Sequence, residues 1–277
     1  MLGVVLVVVL LVVAVAGPVL AGDPFRLDID HGLSQLGAPL PPSSSAPLGT
    51  DQLGRDVWAR LATGSATSLW IAALATALAL AIGVLVGVAA GYSGGHVDNA
   101  LMRLVDLALS FPFLLLAILF AALLRETDLS TTNAPVIIPL GVIGWTTMAR
   151  VLRAKVLGLA RSEHVLAARA LGASPVRIVM RHLLPNLVGV IAVVAAFGFA
   201  QNLLAESVLS YLGLGPPPPA PTWGRMLFEG RAYYRTAPWL VIAPGVAVVL
   251  AVAAFNLLGE GLRQMFDPKQ PRWGALR

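Results

Sequence analysis

Few side chains in these 277 residues could carry a reaction, and their spacing argues against one. There is no cysteine, which removes disulfides, thiolate metal sites and thiol nucleophiles. The four histidines, His31, His96, His164 and His182, are scattered and make no metal constellation, so no metal site is expected. The chain also lacks any G-x-x-x-x-G-K-[ST] segment and therefore any phosphate-cradling loop of that kind. What remains are polar groups inside apolar stretches: Asp106, Gln201, Asn202 and Glu206. Ionisable groups at membrane depth are costly and face a bundle interior or a cavity. Each of the four thus has two readings, a lining of a path or a structural bond. For Asp106 the bond would be to Arg103 one helical turn away; for Glu206, to neighbouring backbone; for Gln201 and Asn202, between helices. Asp106 and Glu206 fall near opposite faces of the membrane, too far apart to act as an acid–base pair, which counts against a membrane-embedded enzyme.

The elements that position these groups follow from composition. With 57% hydrophobic and 12% charged residues, water is the wrong solvent for most of the chain. A helix needs about 20 apolar residues to cross roughly 30 Å of hydrocarbon, and six runs meet that length: 2–21, 69–90, 107–124, 134–152, 187–209 and 239–258. The fold class is therefore an all-α membrane protein of six transmembrane helices. The first run has no basic leader and is long for a signal peptide, so it is read as an uncleaved span. Pro135, Pro139, Gly141 and Gly144 predict a kinked or locally unwound fourth span. No internal repeat with paired broken helices is visible, which disfavours an ion-driven secondary transporter.

Lys and Arg in short loops stay on the cytoplasmic side. The segment 150–181 carries Arg150, Arg153, Lys155, Arg161, Arg169, Arg177 and Arg181 against Glu163 alone, which places it in the cytoplasm. With six spans both termini share that side, and the tail with Arg263, Lys269, Arg272 and Arg277 agrees. This distribution also accounts for the net charge of +5 without a nucleic-acid partner. Segment 22–68 then faces out, with Asp23, Asp28, Asp30, Asp51 and Asp56 outnumbering its arginines. Segment 210–238 runs against the scheme, because Arg225, Arg231 and Arg235 outnumber Glu229.

The loop between the fourth and fifth spans is long and patterned. Ser162 is placed to cap a helix through Ala167, Ala168 and Leu171, and Gly172 to end it in a left-handed conformation. Ser174 and Pro175 start a second helix that Pro185 is expected to stop. Small alanines permit close approach of another backbone, and Arg169, Arg177 and Arg181 suit acidic groups or lipid head groups. A docking surface and an amphipathic pair lying on the bilayer both fit.

At this loop the sequence resembles the permease subunits of binding-protein-dependent ABC importers, whose EAA loop has the form E-A-A-x3-G-x9-I-x-L-P. Ala167-Ala168, Gly172 and Leu184-Pro185 stand at the matching spacing, while Leu166 replaces the Glu and His182 the Ile. The resemblance narrows to the dipeptide, oligopeptide and nickel branch through Gly49-Thr50-Asp51-Gln52-Leu53-Gly54-Arg55-Asp56, the stretch from Asp98 to Pro112, the stretch from Glu206 to Gly215, and Pro221-Thr222-Trp223-Gly224. It implies a type I ABC importer permease architecture in a prokaryotic cell membrane. It further implies a second homologous permease, one or two cytoplasmic ATPase subunits that bind the ATP and magnesium, and an extracytoplasmic substrate-binding protein. No cofactor is implied for this chain. Ala167, Ala168, Arg169, Gly172, Ala173, Leu184 and Pro185 become the ATPase-coupling positions, and di- or oligopeptides the implied cargo, with nickel or another small solute as the alternative.

The chain thus divides into a first helix (1–22), an outer segment (23–68), a five-helix core (69–260) containing the coupling loop (161–186), and a cytoplasmic tail (261–277). Within the outer segment, Thr50 or Asp51 is expected to cap a short interfacial helix bearing Leu53, Val57, Trp58 and Leu61. Pro216 to Pro219 with Pro221 read as an extended, stiff brace.

Overall fold

A computed structural model describes residues 2–266, and no strand occurs among them. Five helices are long and apolar enough to cross a membrane: α1 (Leu2–Leu20), α2 (Val57–Ser93), α5 (Ala134–Leu159), α8 (Leu184–Tyr211) with the turns leading into it, and α10 (Trp239–Phe266). The shorter helices are α3 (Gly95–Leu109), α4 (Phe113–Arg125), α6 (Glu163–Ala170), α7 (Pro175–Ile178) and α9 (Trp223–Gly230).

The expected third span, 107–124, is not one helix. α3 and α4 meet at 83° across Ser110-Phe111-Pro112, and the pair makes a sixth crossing only if both limbs are counted together. Proline disfavours helical backbone at the residue before it, so Phe111 breaks the run and Pro112 opens the next helix. α4, with 13 residues, reaches about 20 Å.

The short interfacial helix is also absent. Gly54, at φ +72°, turns the chain, and α2 begins at Val57 with Asp56 as its cap; the Trp58 N–H donates to Asp56 Oδ1 at 2.9 Å. α2 then continues without a break for 37 residues, about 55 Å, more than a bilayer core requires. α5 likewise stays helical from Ala134 to Leu159, with Pro135 in its first turn and Pro139 within it. Of the kink or local unwinding expected of this span, the unwinding does not occur: the backbone stays helical through Pro139, Gly141 and Gly144.

Among the described residues, α2 and α5 share the most extensive helix–helix contact. Gly83, Gly87 and Gly91 line one edge of α2, and a methyl added at Gly87 would lie 2.7 Å from the Ala149 carbonyl oxygen. Ala72, Ala75 and Ala79 are wholly buried on the same helix. Where lipid is as apolar as leucine, such small residues bind helices by allowing close backbone contact. α8 and α10 close the other side, with Phe199 stacked on Phe255 at a centroid distance of 3.9 Å. α1 lies outermost, showing Val4, Val5, Val8, Val12 and Val15 to the surroundings; it touches the bundle through Gly3, Ala14 and Gly17.

These contacts define two ends. Gly3 packs on Leu257 and Leu258, and Gly189 on Phe266, so the beginning of α1, the end of α10 and the 161–186 loop share one end. Gly17 packs on Ala62, which puts the loop 21–56 and the start of α2 at the other. Lys269, Arg272 and Arg277 lie outside the described residues.

Candidate functional site

The loop after α5 folds as the sequence suggests, helix, glycine turn, helix. α6 starts after Ser162, Gly172 adopts φ +79°, and Ser174 accepts the Arg177 N–H at 3.4 Å. Its inner face is fixed to three long helices, since Val165, Ile178, Leu183 and Leu187 bury with Val88 of α2 and Val156 of α5. The Arg169 guanidinium sits 5.5 Å above the Tyr92 ring, a further tie to α2. The outer face is bare. Ala167, Arg169, Gly172 and Pro185 are exposed, Ala168, Ala173 and Leu184 half-buried, and Leu171 and Val176 stand 88% and 72% exposed.

Pro185 does not stop the second helix. α7 runs through a π-turn at Val179–Leu183 into α8, giving one helix from Pro175 to Tyr211. Proline lacks an N–H and its ring crowds the carbonyl four residues back. The wider turn accommodates this: the Leu184 N–H reaches the Val179 carbonyl, five residues back, and Asn186 Nδ2 donates to the His182 carbonyl at 2.7 Å. π-turns of this kind recur at functional positions. The hairpin is therefore the projecting tip of the same rod that carries Gln201, Asn202 and Glu206.

Those three residues part company along the rod. Gln201 is exposed and, with Asn202 and Phe197 of α8 and Gly144, Thr147 and Val151 of α5, borders a cavity of about 180 Å³. Asn202 is buried, its Nδ2 donating to Thr76 Oγ1 of α2 at 3.0 Å, a bond between helices. Glu206 is wholly buried; Oε1 accepts the Ser210 hydroxyl at 2.6 Å and Oε2 has no partner. It bonds a side chain one turn on rather than neighbouring backbone. Asp106 pairs with Arg150 of α5 at 2.7 Å, not with Arg103. Both partners are more than half exposed, so the bond contributes about 0–1 kcal/mol. A better-formed tie is Arg153, bidentate on Asp98, which locks the start of α3 to α5.

At the opposite end lies a charge cluster that sequence reading did not assemble. The Asp51 carboxylate accepts Arg55 Nε at 2.7 Å and Arg60 Nη1 at 2.6 Å, as well as the backbone N–H groups of Leu53 and Arg55. Glu229 of α9 receives Arg60 Nη1 at 2.8 Å and Arg225 Nε at 3.0 Å. Burial opposes the ionised form of Glu229, but the charge and hydrogen bonds of Arg60, Arg225 and Arg55 outweigh it and hold the carboxyl below the usual glutamate range. Arg60, in the first turn of an otherwise apolar helix, was the available signal. The proline run beside this cluster turns at 218–219 and is not one extended rod.

A helical membrane bundle, with a two-helix loop projecting from one end of an uninterrupted rod, is the form of a transport permease. The comparisons agree. Residues 83–271 match the family described as binding-protein-dependent transport system inner membrane component, and the chain belongs to that family. It is 42% identical over 221 residues to the oligopeptide transport system permease protein OppC of Escherichia coli (strain K12), covering 80% of this chain and 72% of that one. It is 36% identical over 269 residues to OppC of Bacillus subtilis (strain 168), covering 97% and 85%. A putative peptide transport system permease protein of Brucella suis biovar 1 (strain 1330) is 39% identical over 229 residues, covering 83% and 75%. Among solved structures, an inward-facing MetNI methionine ABC transporter superposes with a TM-score of 0.61 at 20% identity, over 74% of this chain and 94% of that one, which is a likeness of fold.

Proposed function

We propose that this chain is a peptide-translocating permease of an ATP-driven importer, itself without enzymatic activity, paired with a second permease and moved by ATPase subunits docked on the 161–186 hairpin. The observation that carries the reading is the hairpin's two-sidedness. Its inner face is bolted to α2, α5 and α8, while Leu171 and Val176 on its outer face lack cover. An exposed apolar patch rimmed by arginines marks a protein contact. Ala167, Ala168 and Gly172 let a partner approach closely, and Arg169 supplies charge.

An ATPase can shift a permease between inward and outward states only through contacts that differ between them. Because α7 continues into α8, displacing the hairpin displaces the wall that carries Gln201 and Phe197. The cavity beside them, which Asn202 also lines, is our candidate for part of the path, whereas Glu206 serves packing. In this topology the hairpin and both termini face the cytoplasm, and an extracytoplasmic binding protein delivers cargo at the other end. Di- or oligopeptide cargo rests on the names of the relatives.

Gly172→Val tests the coupling. A branched residue is strained at positive φ, at a cost of about 1–3 kcal/mol confined to the hairpin. In vesicles containing the full transporter, the variant should assemble yet take up labelled dipeptide at least about tenfold more slowly. Uptake at the wild-type rate, or transport by this chain with no ATPase present, would refute the proposal.

A further inference from the structure

At the end opposite the hairpin one arginine, Arg125, has no carboxylate partner among the described residues. Asp51 and Glu229 are shared among Arg55, Arg60 and Arg225. Arg125, the last residue of α4, forms no ion pair among the described residues, and its Nε is buried without a hydrogen-bond partner. Glu126 and Asp128 follow it in the chain but do not pair with it, and neither does Glu206, whose Oε1 accepts the Ser210 hydroxyl. Arg125 and Arg225 face a common cavity of about 280 Å³, enclosed by Ser210, Gly215, Pro216 and Phe228. Arg225 is held there by its bond to Glu229 and by Nη1 donating to the Pro216 carbonyl at 3.4 Å.

Two guanidiniums brought together from α4 and α9 repel one another, and the half-buried Arg125 leaves its buried Nε without an acceptor, which is costly. An oxyanion can accept from two arginines at once, as the Asp51 carboxylate does from Arg55 and Arg60, and a tetrahedral phosphate offers more acceptor oxygens than a carboxylate to donors arriving from two helices. We infer that the cavity between Arg125 and Arg225 binds a single phosphate group, supplied by an anionic phospholipid head group or by free phosphate. Arg125 closes an apolar helix, where a long basic side chain reaches the interfacial region in which lipid phosphates lie.

The test uses the assembled transporter in nanodiscs of phosphatidylcholine, with or without phosphatidylglycerol, and compares wild type, Arg125→Gln and Arg125→Lys. Native mass spectrometry reads retained phosphatidylglycerol, and thermal melting in phosphatidylcholine alone reads stabilisation by inorganic phosphate. Wild type should retain phosphatidylglycerol about tenfold better than Arg125→Gln, with Arg125→Lys between them. If phosphate alone raises the wild-type melting temperature, and not that of Arg125→Gln, the site serves free anion. The inference is overturned if wild type responds to neither probe, or if Arg125→Lys, which keeps the charge and the fold, and Arg125→Gln both match it.

Discussion

Arg60 illustrates how a single residue acquires its meaning. In sequence it interrupts an apolar run; in the fold its Nη1 bridges Asp51 and Glu229, tying the loop before α2 to α9 across 169 residues. Removing one partner from such a buried set leaves the others uncompensated, and Glu229→Gln should lower stability by about 3 kcal/mol at neutral pH. The pH dependence has a fixed sign. The folded-state pKa of Glu229 lies below its unfolded value, so the stabilisation is full above the ordinary glutamate pKa, about 4.3, and is lost as pH falls through the depressed folded value. Melting curves of the reconstituted protein should therefore fall off in that acid range, and the slope should be shallower in Glu229→Gln. An identical slope in the two proteins would remove Glu229 from the cluster's energetics.

Among the elements, the rod from Pro175 to Tyr211 matters most to the proposed mechanism. Its π-turn lets a proline sit inside a continuous helix. Deleting one residue from Val179–Leu183 would force Pro185 into an ordinary ladder, at a cost of about 3 kcal/mol, and break the helix there. The deletion should leave α2 and α5 packed through Gly83 and Gly87, which meet Met148, Ala149 and Leu152 of α5 rather than the turn, but should separate hairpin motion from α8. Uptake in vesicles should fall to background while the ATPase still co-purifies; retained uptake would mean that force travels by another route. The legibility of elements was uneven. Helices α1, α2, α5, α8 and α10 could be read from apolar length alone, because the bilayer imposes it. The α3–α4 break was missed by apolar length, since the hydropathy runs on through Ser110-Phe111-Pro112, and Pro112 was the local signal for it.

At the scale of the whole molecule the question is which end faces which compartment. The absence of cysteine makes the answer clean to obtain, since a single introduced thiol is the only one to label. Ser174→Cys on the hairpin should react with a membrane-impermeant maleimide only from the cytoplasmic side, and Ser45→Cys, in an exposed loop at the other end, only from outside. The reverse pattern would invert the topology. The sequence by itself determined that the chain lives in a membrane, roughly how many times it crosses, and that its basic 150–181 segment carries a glycine-hinged pair of helices. These are properties of local composition and of spacing within a turn or two, which the solvent and the backbone read directly. Only the tertiary structure decided that Asp106 meets Arg150 rather than Arg103, that Pro185 lies within a helix, and that Arg125 and Arg225 share a cavity. Each depends on contacts between helices distant in sequence or on how a packed helix absorbs a defect, and no local pattern encodes either.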